Sequence, residues 1–327
     1  MKKFLALVLT AVMMLSMIPF GFAAADDTYT IGVCWYWLSG EFMSVCKNYM
    51  DMYIEEYEAA NPGKLKVIQL DGAGDPNTQI SQVENLISQG VDLILLNPWD
   101  RIQLAAATEM CHEAGIPVIE FNVETDAKDY RLTYVGSDHY DSGYVTAKCL
   151  IEAMGGKGNI AVLKGPSGHD AELARTQALE DVLKEYPEVK VVAEEYANWM
   201  RDQGMAATEN WLQADLGING IFGENDEMAL GAIEALKGTE FEGKVLVAGI
   251  DGLPDALNAI REGSLLCTAI QSAKKQAQWS IDYAIKYLNG ATLEPYYDTG
   301  FPLITLENVD DPEFDTSDAY EWAQKHK

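Results

Sequence analysis

Residues 221–236 read IFGENDEMALGAIEAL. An apolar run with β-branched residues, Ile218 to Phe222, meets the polar turn Gly223-Glu224-Asn225-Asp226. Beyond it Met228, Ala229, Ile233 and Leu236 recur at helical spacing and mark one apolar face. The unit is a strand, a turn and a helix. In an open α/β sheet ligands sit beyond the carboxyl ends of the strands, so Asn225 and Asp226 are placed to meet a bound molecule.

The rest of the chain repeats this unit. From Thr30, short β-rich runs alternate with longer helical patterns. Strands are predicted at 31–36, 65–70, 91–96 and 117–121, with helices at 42–59, 77–89 and 101–114 between them. A looser region reaches Tyr134-Val135-Gly136, and a second series of the same kind runs from Asp141 to Ile270. Continuous apolar strands alternating with helices mean parallel sheets covered on both faces. The halves also echo one another. Gly90-Val91-Asp92 leads to Asn97 and then to Asn122, and Gly217-Ile218-Asn219 leads to Asn225 and then to Asp251 at a nearly equal interval.

The predicted fold class is therefore α/β, with two similar doubly wound parallel-sheet lobes joined by a three-strand hinge. Crossings are expected near Val135, Gln271 and Gly300. The first lobe would hold 28–135 plus 272–299, and the second 136–271 plus 300–327. A chain of 327 residues exceeds what one hydrophobic core usually serves, which agrees with two lobes.

The chain opens with Lys2 and Lys3, an apolar run to about Phe22 and then Ala23-Ala24-Ala25, the three zones of a secretory signal with an A-x-A-like site. Cleavage after Ala25 is expected. No Cys lies near that site to take a lipid anchor, so a free periplasmic chain is expected, not membrane-inserted after processing. The formal charge is −28, and the loss of Lys2 and Lys3 makes it more negative by two. That field repels nucleic acid and anionic membranes. The five cysteines, Cys34, Cys46, Cys111, Cys149 and Cys267, lie far apart within apolar patterns and read as buried small hydrophobes. Export would permit one disulfide, but sequence does not establish which thiols meet.

Residues at predicted strand ends are Tyr36, Asn97, Asn122, Asn225, Asp251 and Gln271, joined by the loop residues Phe42, His169, Asp170, Arg175 and Trp199. Amides, carboxylates and a guanidinium mixed with aromatics suit a polyhydroxylated ligand. Adjacent hydroxyls donate to a carboxylate and accept from Arg or an amide, while the C–H face of a ring lies on an aromatic. His169 and Asp170 also fit helix N-cap positions. Trp35 and Trp37 flank Tyr36 on the other strand face and read as core or rim. His112, His139, His169 and His326 show no metal-ligand spacing, and Gly155 to Gly158 follows a helix into a strand, the reverse of a phosphate loop. No cofactor or metal is expected.

IGVCWYWLSGEFMSV at 31–45, PVIEFN at 117–122, GHDAELART at 168–176, ENDEMALGAIEAL at 224–236 and GIDGLPDAL at 249–257 resemble the periplasmic monosaccharide-binding proteins of ABC importers. The galactose/glucose-binding proteins are nearest, then the ribose-binding proteins, and the similarity runs from about Ile31 to Leu288. The resemblance implies that Phe42 and Trp199 sandwich a sugar ring. Asn122, His169, Arg175, Asn225, Asp251 and Gln271 would bond its hydroxyls, with Tyr36 lining the pocket and Asp170 beside it. It singles out Asn225 as the contact and leaves Asp226 to cap the helix. The implied partners are a monosaccharide, an ABC permease and in some members a chemoreceptor, with the chain acting as a monomer. Gly40, Val123 and Ala171 stand where the family has polar groups, so the sugar does not simply carry over, and a pentose, cyclic polyol or signalling furanose is the alternative ligand. No counterpart of the galactose-binding calcium loop is present. The rival reading is a secreted carbohydrate-active enzyme using Asp251 and Glu224 as a carboxylate pair.

Overall fold

Strands that are apolar on both faces must be covered on both faces, and two sheets achieve this here. The computed structural model describes residues 28–314 and 316–326; the signal and cleavage site expected at 1–25 lie outside them. The first lobe contains β1 (Tyr29–Trp35), α1 (Glu41–Ala60), β2 (Leu65–Asp71), α2 (Pro76–Gln89), β3 (Leu93–Leu96), α3 (Ala105–Glu113), β4 (Val118–Phe121) and β5 (Thr133–Gly136). The second contains α4 (His139–Ala153), β6 (Lys157–Lys164), α5 (Asp170–Glu185), β7 (Glu188–Tyr196), α6 (Arg201–Gln213) and β8 (Gly220–Gly223). It continues with α7 (Asp226–Leu236), β9 (Leu246–Asp251), α8 (Pro254–Glu262) and β10 (Cys267–Ile270). The chain then returns to the first lobe through α9 (Ala273–Leu288) and β11 (Tyr296–Asp298), and crosses once more into β12 (Leu303–Ile304).

The sheet orders are β11-β5-β4-β3-β1-β2 and β12-β10-β9-β8-β6-β7, parallel throughout except for the antiparallel β12. Both therefore wind outward in the same order from their first strand, so the echo read in the sequence is an equivalence of topology. Asn122 and Asp251 directly follow or close equivalent strands, β4 and β9. The crossings fall at Ser137, Gln271 and Thr299–Gly300, and the outer two are tied together: Thr299 N–H donates to Gly136 O at 2.8 Å, and Ser137 Oγ bonds both Thr299 Oγ1 and Gly300 O. One apolar cluster runs from Trp35 and Phe121 of the first lobe to Trp199 and Met228 of the second, so the lobes are closed on each other.

Three expectations change. The helix predicted from Arg101 begins at Ala105, because the Asp100 carboxylate takes the N–H groups of Ile102 and Gln103 and holds a turn there. Residues 300–327 do not all join the second lobe. After β12 the chain comes back, and α10 (Ser317–Lys325) lies on α1, with Tyr320 Oη donating to Glu41, Trp322 Nε1 to Glu55 and Tyr49 paired with Asp318.

Asp226 does not cap its helix. Asn225 does, accepting from Met228 N–H at 2.9 Å. Asp226 is wholly buried and accepts instead from Gly252 N–H, Leu253 N–H and Thr268 Oγ1 at 2.7, 2.9 and 2.7 Å, which fixes the turn after β9. Deleting this carboxylate strands Leu253 N–H and Thr268 Oγ1, each worth about 1–3 kcal/mol, and leaves Gly252 N–H only its longer bond to Thr268 Oγ1 at 3.2 Å. Asp226→Ala is expected to lose on the order of 3 kcal/mol or more in urea unfolding; a loss under about 1 kcal/mol would show that the turn does not depend on it.

Candidate ligand-binding site

The carboxyl ends of the strands in both lobes point at one cavity between them. Nine of the ten expected residues line it. Tyr36, Phe42 and Asn122 come from the first lobe. His169, Arg175, Trp199, Asn225 and Asp251 come from the second, and Gln271 from a crossing. Asp170 is the one that does not. His169 occupies the N-cap of α5, so Asp170 starts the helix and faces a separate outer cleft beside Arg101. Burial pushes its carboxyl up to about 6, with Arg101 opposing.

A polar chain crosses the cavity from lobe to lobe. Asn122 Nδ2 donates to Gln271 Oε1 at 3.2 Å, and Gln271 Nε2 to Asp251 Oδ1 at 2.7 Å. Asp251 Oδ1 stands 4.0 Å from Arg175 Nη2, an electrostatic contact too long for a hydrogen bond. Arg175 Nη1 donates to Glu224 O, and its guanidinium lies over the Trp199 ring at 5.6 Å. Its Nε and Nη2 have no partner although the residue is 2% exposed. Burial lowers the guanidinium from its ordinary value while Asp251 raises it; burial pushes the Asp251 carboxyl up to about 8 against the opposing charge of Arg175.

Three positions hold strained backbone. Asn122, Trp199 and Asp251 have φ of 64°, 64° and 136°, conformations that non-glycine residues seldom adopt outside functional sites. Trp199 is also admitted by a glycine: a Cβ on Gly165 would lie 2.1 Å from the indole ring. Asn97, the residue directly after β3, is wholly buried and structural, as is Glu224 at the equivalent place after β8. Asn97 accepts from Tyr36 N–H and donates to Phe121 O, tying three strand ends together. Trp35 is in the core, and Trp37 reaches the cavity rim. Glu224 accepts from Gly165 N–H and Thr176 Oγ1 beneath the cavity and does not line it, so it forms no facing pair with Asp251.

Two groups escaped the sequence reading. Trp99, in the loop after β3, packs edge-on against Tyr36 at 5.4 Å and His169 at 5.3 Å, joining the lobes through aromatic contacts. His139 lines the cavity directly after the first crossing. Asp138 caps α4, and the side chain next to a cap at a crossing faces the cleft; that signal could have found it.

The partners fix both tautomers. His139 Nε2 faces Asn122 O at 3.0 Å and must carry the proton, which leaves Nδ1 an acceptor. His169 Nδ1 accepts from Ala171 N–H, so its proton is on Nε2, an unpaired buried donor. Burial, then the Arg175 charge, pull His169 down to about 3 and hold His139 well below the usual histidine range.

Two like lobes that wall in one polar cavity and share three crossings define a solute-binding protein that encloses its ligand. Residues 31–292 match the periplasmic binding protein domain family, and the chain belongs to it. It is a binding protein and not an enzyme. It is 34% identical over 291 residues to the xylitol-binding protein of Mycolicibacterium smegmatis, covering 88% of this chain and 80% of the relative. A solute-binding protein of an ABC transporter from Bacillus halodurans, solved with myo-inositol, superposes at TM-score 0.82 with 36% identity, covering 89% of this chain and 99% of that one. One from Actinobacillus succinogenes, solved with D-allose, does so at 0.77 with 34% identity over 87% and 100% of the two chains.

In the closed protein the imidazoles of His139 and His169 are expected to remain neutral Nε2–H tautomers down to pH 5, read by two-bond ¹H–¹⁵N correlation spectra. A doubly protonated ring at that pH on either residue contradicts the geometry.

Proposed function

We propose that this protein captures a neutral, monosaccharide-sized polyol, a cyclic polyol or an aldose, between its closing lobes and presents it to an ABC permease outside the cytoplasm. The observation that carries this reading is the mismatch inside the closed cavity. Arg175 Nε and Nη2 and His169 Nε2 are buried donors without acceptors, while Asp251 and His139 Nδ1 offer acceptors beside them. A hydroxyl both donates and accepts, so vicinal hydroxyls answer both sets at once. A carboxylated ligand would meet the Asp251 carboxyl, and an amine would meet the buried Arg175 cation.

Phe42 and Trp199, one from each lobe, supply apolar faces for the C–H side of a ring. Asn122, Asn225, Asp251 and Gln271 supply its polar edge, and Tyr36 completes the wall. Asp170, which faces the outer cleft, supplies no contact in this reading. Gly40 and Ala171 line the cavity without polar side chains, which removes two contacts that a galactose- or glucose-like hexose would use by the resemblance. The relatives solved with myo-inositol and D-allose, and the one named for xylitol, all concern neutral polyhydroxylated compounds. Closure is the working step, because contacts from both lobes form only when they meet.

A thermal-shift and tryptophan-fluorescence screen over myo-inositol, xylitol, D-allose, D-ribose and D-galactose tests this. A true ligand at about a thousand times its dissociation constant adds about 4 kcal/mol of stability. Asp251→Asn, which keeps the packing, should lose about ten- to a hundredfold in affinity while unfolding cooperatively. A panel without any stabilising compound sinks the reading, and full affinity in Asp251→Asn removes that carboxyl from the contact set.

A further inference from the structure

The second lobe brings together two thiols that neither the cavity nor the hinge uses. Cys149 lies on α4 and Cys267 opens β10, and these elements pack on each other within the lobe's own apolar cluster. Cys267 is wholly buried and Cys149 is partly accessible; both are reduced in the structure. The two thiols influence each other electrostatically across this packing contact. The other three cysteines, Cys34, Cys46 and Cys111, are wholly buried in the first lobe, out of reach of this pair.

We propose that Cys149 and Cys267 are a disulfide-forming pair that staples α4 to β10 when the protein meets an oxidising compartment. The oxidant is an external disulfide. The Cys149 thiolate attacks one of its sulfurs, forming a mixed disulfide and releasing one thiol. The Cys267 sulfur then attacks Cys149 Sγ and expels the second thiol. In sum, one external disulfide becomes two thiols, and two protein thiols become one disulfide with the loss of two hydrogens. The order follows from access and acidity: Cys149 is the more accessible partner, and the neighbouring Cys267 thiol lowers its pKa from the usual thiol value. The export pattern at the start of the sequence places the chain where such exchange occurs.

The staple would act on stability and not on the ligand. It closes a loop of more than a hundred residues, and cross-links across long loops restrict the unfolded chain most. It also links the elements that adjoin two crossings, since α4 starts at His139 and β10 leads into Gln271. Neither sulfur lines the cavity.

Full-length exported protein is incubated natively with oxidised glutathione, quenched in acid, unfolded in an alkylating agent, digested and analysed by mass spectrometry. The expected result is a Cys149–Cys267 linked peptide and a rise in Tm of roughly 5–10 °C that dithiothreitol reverses. Cys149→Ser and Cys267→Ser should each abolish the link and the rise, with polyol affinity in the oxidised wild type within about twofold of the reduced. Complete alkylation of both thiols, a persistent glutathione adduct on Cys149, a link between other cysteines, or a link without the rise in Tm would each overturn the proposal.

Discussion

The closed cleft buries a guanidinium that the protein satisfies only in part. Arg175 gives one nitrogen to the carbonyl of Glu224, stacks over Trp199 and leaves two nitrogens bare at the cavity. Leaving such donors unpaired costs about 1–3 kcal/mol each, and more when the group is charged. The empty closed state is accordingly penalised, and a ligand that supplies oxygens lifts the penalty. This is how a binding protein avoids staying shut without its cargo: the same groups that recognise the ligand oppose closure in its absence. The depressed histidines act in the same sense, because neither can take up a proton beside Arg175 once the lobes meet.

Those groups are useful only if held still, and the scaffold does so by spending backbone conformation rather than extra side chains. Asn122, Trp199 and Asp251 sit in left-handed or otherwise rare backbone conformations at the ends of, or just beyond, the parallel strands β4, β7 and β9. Asp226 clamps the turn after Asp251, Tyr134 Oη bonds the carbonyl of Asn122, and Gly165 makes room for the Trp199 ring. Each support is buried and lies behind the residue that faces the cavity, so strain of about 1–3 kcal/mol per position is held in place by packing that has no other task there.

This division explains what was legible in the sequence. Apolar periodicity and the strand-end rule predicted the two sheets, their equivalence, and five residues that meet at one cavity; the loop residues Phe42, His169, Arg175 and Trp199 owe their contact roles to the family resemblance. Neither the periodicity nor the rule could separate a strand-end polar residue that faces outward from one that ties strands together. Asn97 directly follows β3 and Asn225 lies one residue further beyond β8, and the first is consumed by Tyr36 N–H and Phe121 O while the second opens onto the cavity. Asn225 took the capping role expected of Asp226 because both are good caps, and only the distant Thr268 and Gly252 decide which one is drawn inward. His139 and Trp99 have no periodic signal, since they lie beyond crossings and strand ends where tertiary contact alone sets direction. The return of α10 to the first lobe depends on pairs such as Tyr320 with Glu41, separated by most of the chain.

The clamp is symmetric in topology and asymmetric in charge. Arg175 and Asp251 both ride on the second lobe, whereas the first lobe contributes the neutral Tyr36, Phe42 and Asn122 and one acid, Glu41, which accepts from Tyr320 Oη. Among the described residues no ion pair of the site spans the cleft; opening it breaks the Asn122–Gln271 and His139–Asn122 hydrogen bonds, parts Tyr36 and Trp99 from His169, and wets the Arg175–Asp251 pair from one side. Were the two charges on opposite lobes, their attraction would favour the empty closed form and set a large electrostatic barrier to release. Keeping them on one lobe lets closure be governed by desolvation, which resists it, and by ligand hydroxyls, which reverse that resistance. A receptor that must both seize and surrender a neutral solute gains reversibility from that arrangement.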